Sequence, residues 1–344
     1  MTTPTAIFDP LESVKVDDFV AALTWSPDSQ SLAVAGGEGK VCLLTRTGGS
    51  LAVKEIGEHL LGTVAIQWQP NGSRFASAGQ DGAVQIFDAN QPEQPSIRIQ
   101  PSRQAAAALA WSPSGDHLAC ATGKSIFQYD IETATSTRVH DAESGITGLT
   151  YDKTGQTLAA SRNGGVDVHR WNPAHQCRHY TWASPCLNVL FSPNGKFLVT
   201  GTQDGAVHFW YLATGKDSQM RGYPDKVDCL SWRHDSRYLA TAAGEQLVIW
   251  DFGGRGPEGS RPLQLKSHSE RIQACAFQPV GPYLASIGRD WRLSLWQPGK
   301  FDIDLDAHMT AAEPTSLAWS PDGRFVAVGT QAGDVAIYGL RLVA

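Results

Sequence analysis

The chain has 344 residues, 42% of them hydrophobic and 18% charged, and a formal net charge of −6. With no run of Lys or Arg, this acidic balance argues against nucleic acid as the main partner, since phosphate neutralisation dominates that affinity. No stretch approaches the ~18 consecutive apolar residues of a membrane span, and the first residues lack the basic-then-apolar pattern of a secretory signal. The six cysteines form no Cys-x-x-Cys pair, so a reducing, cytoplasmic location without disulfides is expected.

Along the chain, a strand-like piece at Ser13–Val16 precedes a unit that occurs eight times. Its anchor is an aromatic residue followed by a turn: Trp25, Trp68, Trp111, Tyr151, Phe191, Trp232, Phe277 and Trp319, at intervals of 40 to 45 residues. A short alternating or apolar run leads into the anchor, as in Val20–Trp25 and Val227–Trp232. After the turn comes a run with small residues, as in Leu32–Ala35, Phe75–Ala78, Leu118–Ala121 and Tyr283–Ser286. A third run closes on an aromatic, as in Val84–Phe87, Val207–Trp210, Leu247–Trp250 and Leu293–Trp296. Such runs between turn signals read as partly or fully buried strands. In the Ser-Pro-Asp/Asn-Gly turn, Pro presets φ, Asp or Asn tolerates the next position and Gly closes it. No segment sustains a helical period. A repeat of this length built from strands signals an array of small sheets, so the fold class is all-β and residues 1–344 read as a single domain. The Gly/Pro-rich insert at 253–262 joins the third and fourth strands of unit six and reads as a flexible surface loop.

From about Phe19 to Leu340 the sequence resembles the WD-repeat family of β-propellers, whose unit has four antiparallel strands, a to d, with Trp-Asp at the end of strand c. Unit six keeps that dipeptide as Trp250-Asp251; elsewhere it has drifted to Phe87-Asp88, Tyr129-Asp130, Trp171-Asn172 and Trp296-Gln297. The resemblance implies a propeller of four-stranded blades. Eight sets of strands a to c imply eight blades, with seven, commoner in the family, as the alternative. Unit eight supplies only three strands, so an N-terminal strand is expected to complete the last blade, which removes exposed edges. The family's His–Ser/Thr–Asp–Trp tetrad carries over in full onto His268, Ser286, Asp290 and Trp296. Unit two matches in part, with His59, Ser77 and Asp81, but has Phe87 in place of the indole. A buried charge-assisted hydrogen bond accounts for those residue types, which makes the set structural rather than catalytic.

Loops on a rigid scaffold concentrate binding residues, and Trp and Arg lead among interface hot spots. On the face carrying the d–a and b–c loops, the candidates are Arg271, Arg289, Trp291, Arg292, Trp182, Arg103, Arg162 and Lys226. The family resemblance implies a non-catalytic scaffold, monomeric by itself, that binds a partner protein or peptide there. Nucleophile-elbow, phosphate-loop and His-Glu-x-x-His patterns are all lacking, so no enzymatic activity is expected. One stretch suggests an alternative. His175, Cys177 and His179 alternate on the expected strand d of unit four, and with Cys186 or His169 they could hold zinc, although the spacing matches no common zinc motif. The alternative function is therefore a zinc-binding accessory protein; otherwise no cofactor is implied.

Overall fold

A computed structural model describes residues 5–171, 175–254 and 256–343. Among them are eight four-stranded antiparallel sheets and no helix. Asn172 of the Trp171-Asn172 pair and Arg255 of the 253–262 insert lie outside the described residues.

Every anchor aromatic is the last residue of a strand a: Val20–Trp25, Thr63–Trp68, Ala106–Trp111, Ile146–Tyr151, Leu190–Phe191, Cys229–Trp232, Ile272–Phe277 and Pro314–Trp319 open blades one to eight. The recurrence has a physical cause. Trp111 Nε1 donates to the Gln67 carbonyl at 3.1 Å, Trp319 Nε1 to Ala276 at 2.9 Å and Trp25 Nε1 to Ala318 at 3.1 Å. Each of these indoles is thus tied to strand a of the preceding blade while its ring is buried in the seam between the two sheets. The core is distributed among these seams, and each anchor brings a large apolar area to one of them. The turn after the anchor departs from expectation in units one and six, which lack the closing glycine. Ser29 and Ser236 occupy the left-handed region instead, at φ 62° and 63°. Each hydroxyl accepts a backbone N–H from the equivalent turn of the preceding blade, Asp322 at 3.3 Å and Asn194 at 2.9 Å.

The ring closes as the resemblance implied, with eight blades. The closing strand is longer than Ser13–Val16: it runs Thr5–Lys15, antiparallel to Asp334–Val343, from Thr5↔Val343 to Lys15↔Asp334 with a bulge between Pro10 and Glu12. Phe8 is fully buried against Trp319 and Tyr338, with ring centroids 5.8 and 6.2 Å away. Because strand direction alternates within each blade, all d–a loops and b–c turns emerge on one face of the ring, and all a–b and c–d connections on the other.

Candidate functional site

The tetrad in blade seven is assembled in full. His268 Nδ1 lies 3.0 Å from Asp290 Oδ1 and Nε2 lies 2.8 Å from Ser286 Oγ, which accepts the Trp296 indole N–H at 2.9 Å. Burial outweighs the Asp290 partner and lowers the His268 pKa. The imidazole is therefore neutral: Nδ1–H donates to Asp290 and Nε2 accepts from the Ser286 hydroxyl. Blade two repeats the first three members, with His59 Nε2 2.8 Å from Ser77 Oγ and Nδ1 3.2 Å from Asp81. Blade six holds a version the sequence reading missed. Trp250 Nε1 donates to Tyr223 OH at 2.7 Å, and that hydroxyl lies 2.6 Å from Thr241 Oγ1. A tyrosine in the loop before strand a has replaced the histidine. In each case the set pins the d–a loop to strand b and gives the loop face a fixed backbone.

Trp291 is prominent on that face. It sits in the b–c turn of blade seven at φ 63° and is 44% exposed. The same turn position holds Gly82 in blade two, Gly205 in blade five and Gly333 in blade eight, at φ 74°, 72° and 84°. An aromatic there costs about 1–2 kcal/mol relative to glycine. The turn is held by Trp291 N–H donating to Gly288 at 3.0 Å and by the Trp291 carbonyl accepting from Thr310 N at 2.8 Å. Arg289 is exposed beside it, with Nε 3.4 Å from Glu313.

The other expected binding residues divide by environment. Arg103 is exposed. Arg271 forms ion pairs with Asp225 and Asp228, Arg292 with Asp304 at 2.9 Å and Lys226 with Asp228 at 3.3 Å. Arg162 is not presented on the face: it is 4% exposed, and its Nε donates to Asp167 at 2.9 Å in the interior. Trp182 stacks on His208 at 3.8 Å and packs into the blade four–five seam. The preference for Trp and Arg passed over an apolar group. Leu60 and Leu61, 80% and 64% exposed, form the d–a loop from blade one to blade two, and Phe19 lies exposed in the loop from blade eight to blade one. These two loops flank the Gly36–Gly39 turn of blade one. A Cβ on Gly37 would strike the Phe19 ring, and one on Gly62 would strike the Gly37 carbonyl. With Trp291 and exposed Met309, the apolar residues extend along an arc from blade seven to blade two.

The expected metal ligands do not converge as a set. His175 precedes strand d of blade four, Gln176–Thr181. Cys177 and His179 lie on one side of that strand, as their alternation requires, but His179 Nδ1 is engaged by Asp167 Oδ1 at 2.6 Å. Cys186 is buried beyond the strand, bridged to Thr202, with its thiol directed at the Ser184 carbonyl. Cys177 instead neighbours His169 and His140.

A model of the WD domain, G-beta repeat, matches residues 52–88, 173–211, 215–251, 259–297 and 299–338, together more than half of the chain. Each matched stretch ends within or just past strand c of a blade, in turn two, five, six, seven and eight. Among similar proteins, Protein hir1 of Schizosaccharomyces pombe is 23% identical over 45% of this chain and 19% of its own length. The Target of rapamycin complex subunit LST8 of Mus musculus is 24% identical over 42% of this chain and 47% of its own. The Chromatin assembly factor 1 subunit FAS2 homolog of Oryza sativa is 30% identical over 31% and 22%. The alignments thus span between about a fifth and about half of these relatives.

Proposed function

Because this chain belongs to the WD40 family of G-beta repeat proteins, we propose that it is a non-catalytic scaffold that seats a partner protein on its loop face, over the arc from blade seven to blade two. The observation that carries this reading is Trp291, a large exposed aromatic held at a left-handed turn position where three other blades have glycine. Backbone strain that the surrounding structure maintains points to function, and an exposed indole is the side chain most enriched at the centre of protein interfaces. Phe19, Leu60 and Leu61 extend the surface with apolar area that the ring has no need to expose. Two relatives are named as subunits, one of the target of rapamycin complex and one of a chromatin assembly factor, which is the setting such a platform serves.

The test is affinity capture with the intact chain against its Trp291→Gly, Arg289→Ala variant. Glycine restores the residue the turn favours, so the ring keeps its fold and melting profile while the captured partner is lost. Recovery of the same partners at the same yield would remove the loop-face assignment.

A further inference from the structure

The seam between blades three and four is polar toward its outer edge. Strand c of blade four, Gly165–Arg170, and strand d, Gln176–Thr181, pair so that His169 faces Cys177 and Asp167 faces His179. Alternation along a strand puts all four side chains on one side of the sheet. From the adjoining blade, His140 on strand d (Thr135–Asp141) approaches them, its ring centroid 4.5 Å from that of His169 and its Nε2 3.5 Å from Asp167 Oδ2. One nitrogen from each of His140 and His169 and the Cys177 sulfur all lie within 4.8 Å of one another.

A second observation singles out His169. Its ring is fully buried, and among the described residues none hydrogen-bonds its Nε2. Its Nδ1 is engaged, 3.2 Å from His175 Nε2. A buried polar atom without a partner is left with its desolvation uncompensated. This one sits beside a second imidazole and an exposed thiol, and that donor set suits a borderline-soft divalent cation.

We propose that His140, His169 and Cys177 form a zinc site in the seam between blades three and four, with the fourth position open to solvent or to a ligand from outside. His169 binds through Nε2. Its Nδ1 stays with His175, and Asp167 holds Nε2 of His140, leaving that ring's Nδ1 to the metal. Such outer partners fix the tautomer and orientation of ligating imidazoles. Tetrahedral zinc with bonds of about 2.0–2.3 Å sets its ligand atoms roughly 3.3–3.6 Å apart, so the site closes by a side-chain shift of about 1 Å. Half-buried His140 and exposed Cys177 have room to make that shift. Burial and the neighbouring His140 and His175 lower the His169 pKa to about 4, which keeps the ring in the neutral form a metal takes. Burial and Asp167 raise the Cys177 pKa, so its S–H proton passes to solvent as the S–Zn bond forms. Arg162 lies close, but its charge is met by Asp167. The site keeps Cys177 and His169 from the residues read in the sequence, adds His140 in place of His179 and Cys186, and assigns His175 a supporting role.

The full chain, stripped of metal with a chelator, is titrated with Co(II) and then with Zn(II). One Co(II) per chain is expected, with a thiolate-to-cobalt charge-transfer absorption that zinc bleaches. Cys177→Ser and His140→Ala each weaken zinc binding by at least about 100-fold without changing the metal-free melting curve, whereas His179→Ala and Cys186→Ala bind as the unmodified chain does. The charge-transfer band of the unmodified chain reports thiolate ligation whether or not a variant folds. Lack of saturable uptake, cobalt bound without that band, or affinity indifferent to Cys177→Ser would each overturn the assignment.

Discussion

Replacing Ser286 by alanine tests whether the tetrad in blade seven contributes stability in the way its geometry implies. The Ser286 hydroxyl donates to His268 Nε2 at 2.8 Å and accepts from Trp296 Nε1 at 2.9 Å, and Ser286 and Trp296 are both fully buried. Ser286→Ala therefore strands two buried groups, at about 2 kcal/mol each, for a loss near 4 kcal/mol. In blade two, Ser77 meets His59 in the same way, but the residue in the place of Trp296 is Phe87, which has no N–H to donate. Ser77→Ala strands only one group and costs about 2 kcal/mol. An unfolding entropy of about 2.1 cal/mol/K per residue over a chain of 344 residues gives about 0.7 kcal/mol per kelvin. The melting temperature should therefore fall by about 6 °C for Ser286→Ala and about 3 °C for Ser77→Ala. Trp296→Phe gives blade seven the composition of blade two, and in that background Ser286→Ala should cost only about 2 kcal/mol, a coupling of about 2 kcal/mol. Calorimetry of the four chains of this cycle and of the Ser77 variant measures all of it. Equal costs in the two blades, or a coupling near zero, would refute the assignment of the serine as a two-way hydrogen-bond hub.

Phe8→Ala removes a fully buried ring from the closing strand and should cost about 4 kcal/mol, read as a drop of about 6 °C in the melting temperature; a drop under 2 °C would mean that closure does not rest on this side chain. His208 is buried in the blade four–five seam, and burial, working against Asp217, lowers its pKa to about 4. A histidine pKa lower in the folded chain than its ordinary 6.5 contributes stability above pH 6.5 that is lost as pH falls toward 4, about 3 kcal/mol in all. His208→Gln, which takes up no proton in that range, should shrink the acid loss by that amount in urea titrations at pH 7 and pH 4; an unchanged loss would show that other groups carry it. Trp291→Gly with Arg289→Ala should abolish partner capture with the fold intact, and Cys177→Ser should abolish the cobalt–thiolate band.

What could be read from the sequence was whatever repeats. An aromatic that fills a seam recurs at every unit, and at Trp25, Trp111 and Trp319 it also donates to the blade behind it, so all eight ends of strand a are legible from the sequence. His268, Ser286, Asp290 and Trp296 were legible because their spacing within one unit is fixed by the loop before strand a and the turn after strand b. Contacts outside that repeating pattern, within a unit or between two, were not. Arg162 looks like a surface cation until Asp167, five residues on and across the same hairpin, draws it inside. His140 belongs to a different repeat from Cys177, and nothing in the chain between them announces that two blades will face each other there. Tyr223 escaped notice because its hydroxyl does the work of an imidazole nitrogen, an equivalence of position rather than of residue type. Phe19, Leu60 and Leu61 were overlooked because apolar loop residues are common and only their burial in a structure separates packing from presentation.

The closing strand also sets the order in which the molecule can be completed as it is made. Asp9 and Arg341 form an ion pair across the two strands that seal the ring, 332 residues apart. At ribosomal speeds of about 5–20 residues per second, roughly 15–70 s separate the emergence of one from that of the other. Throughout that interval Ala6 and Phe8, both buried in the finished ring, have no cognate strand to meet. The closing strand thus leaves the ribosome before the rest of the ring and is the last to find its place, and for most of the ring's synthesis the nascent chain carries an adhesive segment that a chaperone, or another copy of the chain, is free to take.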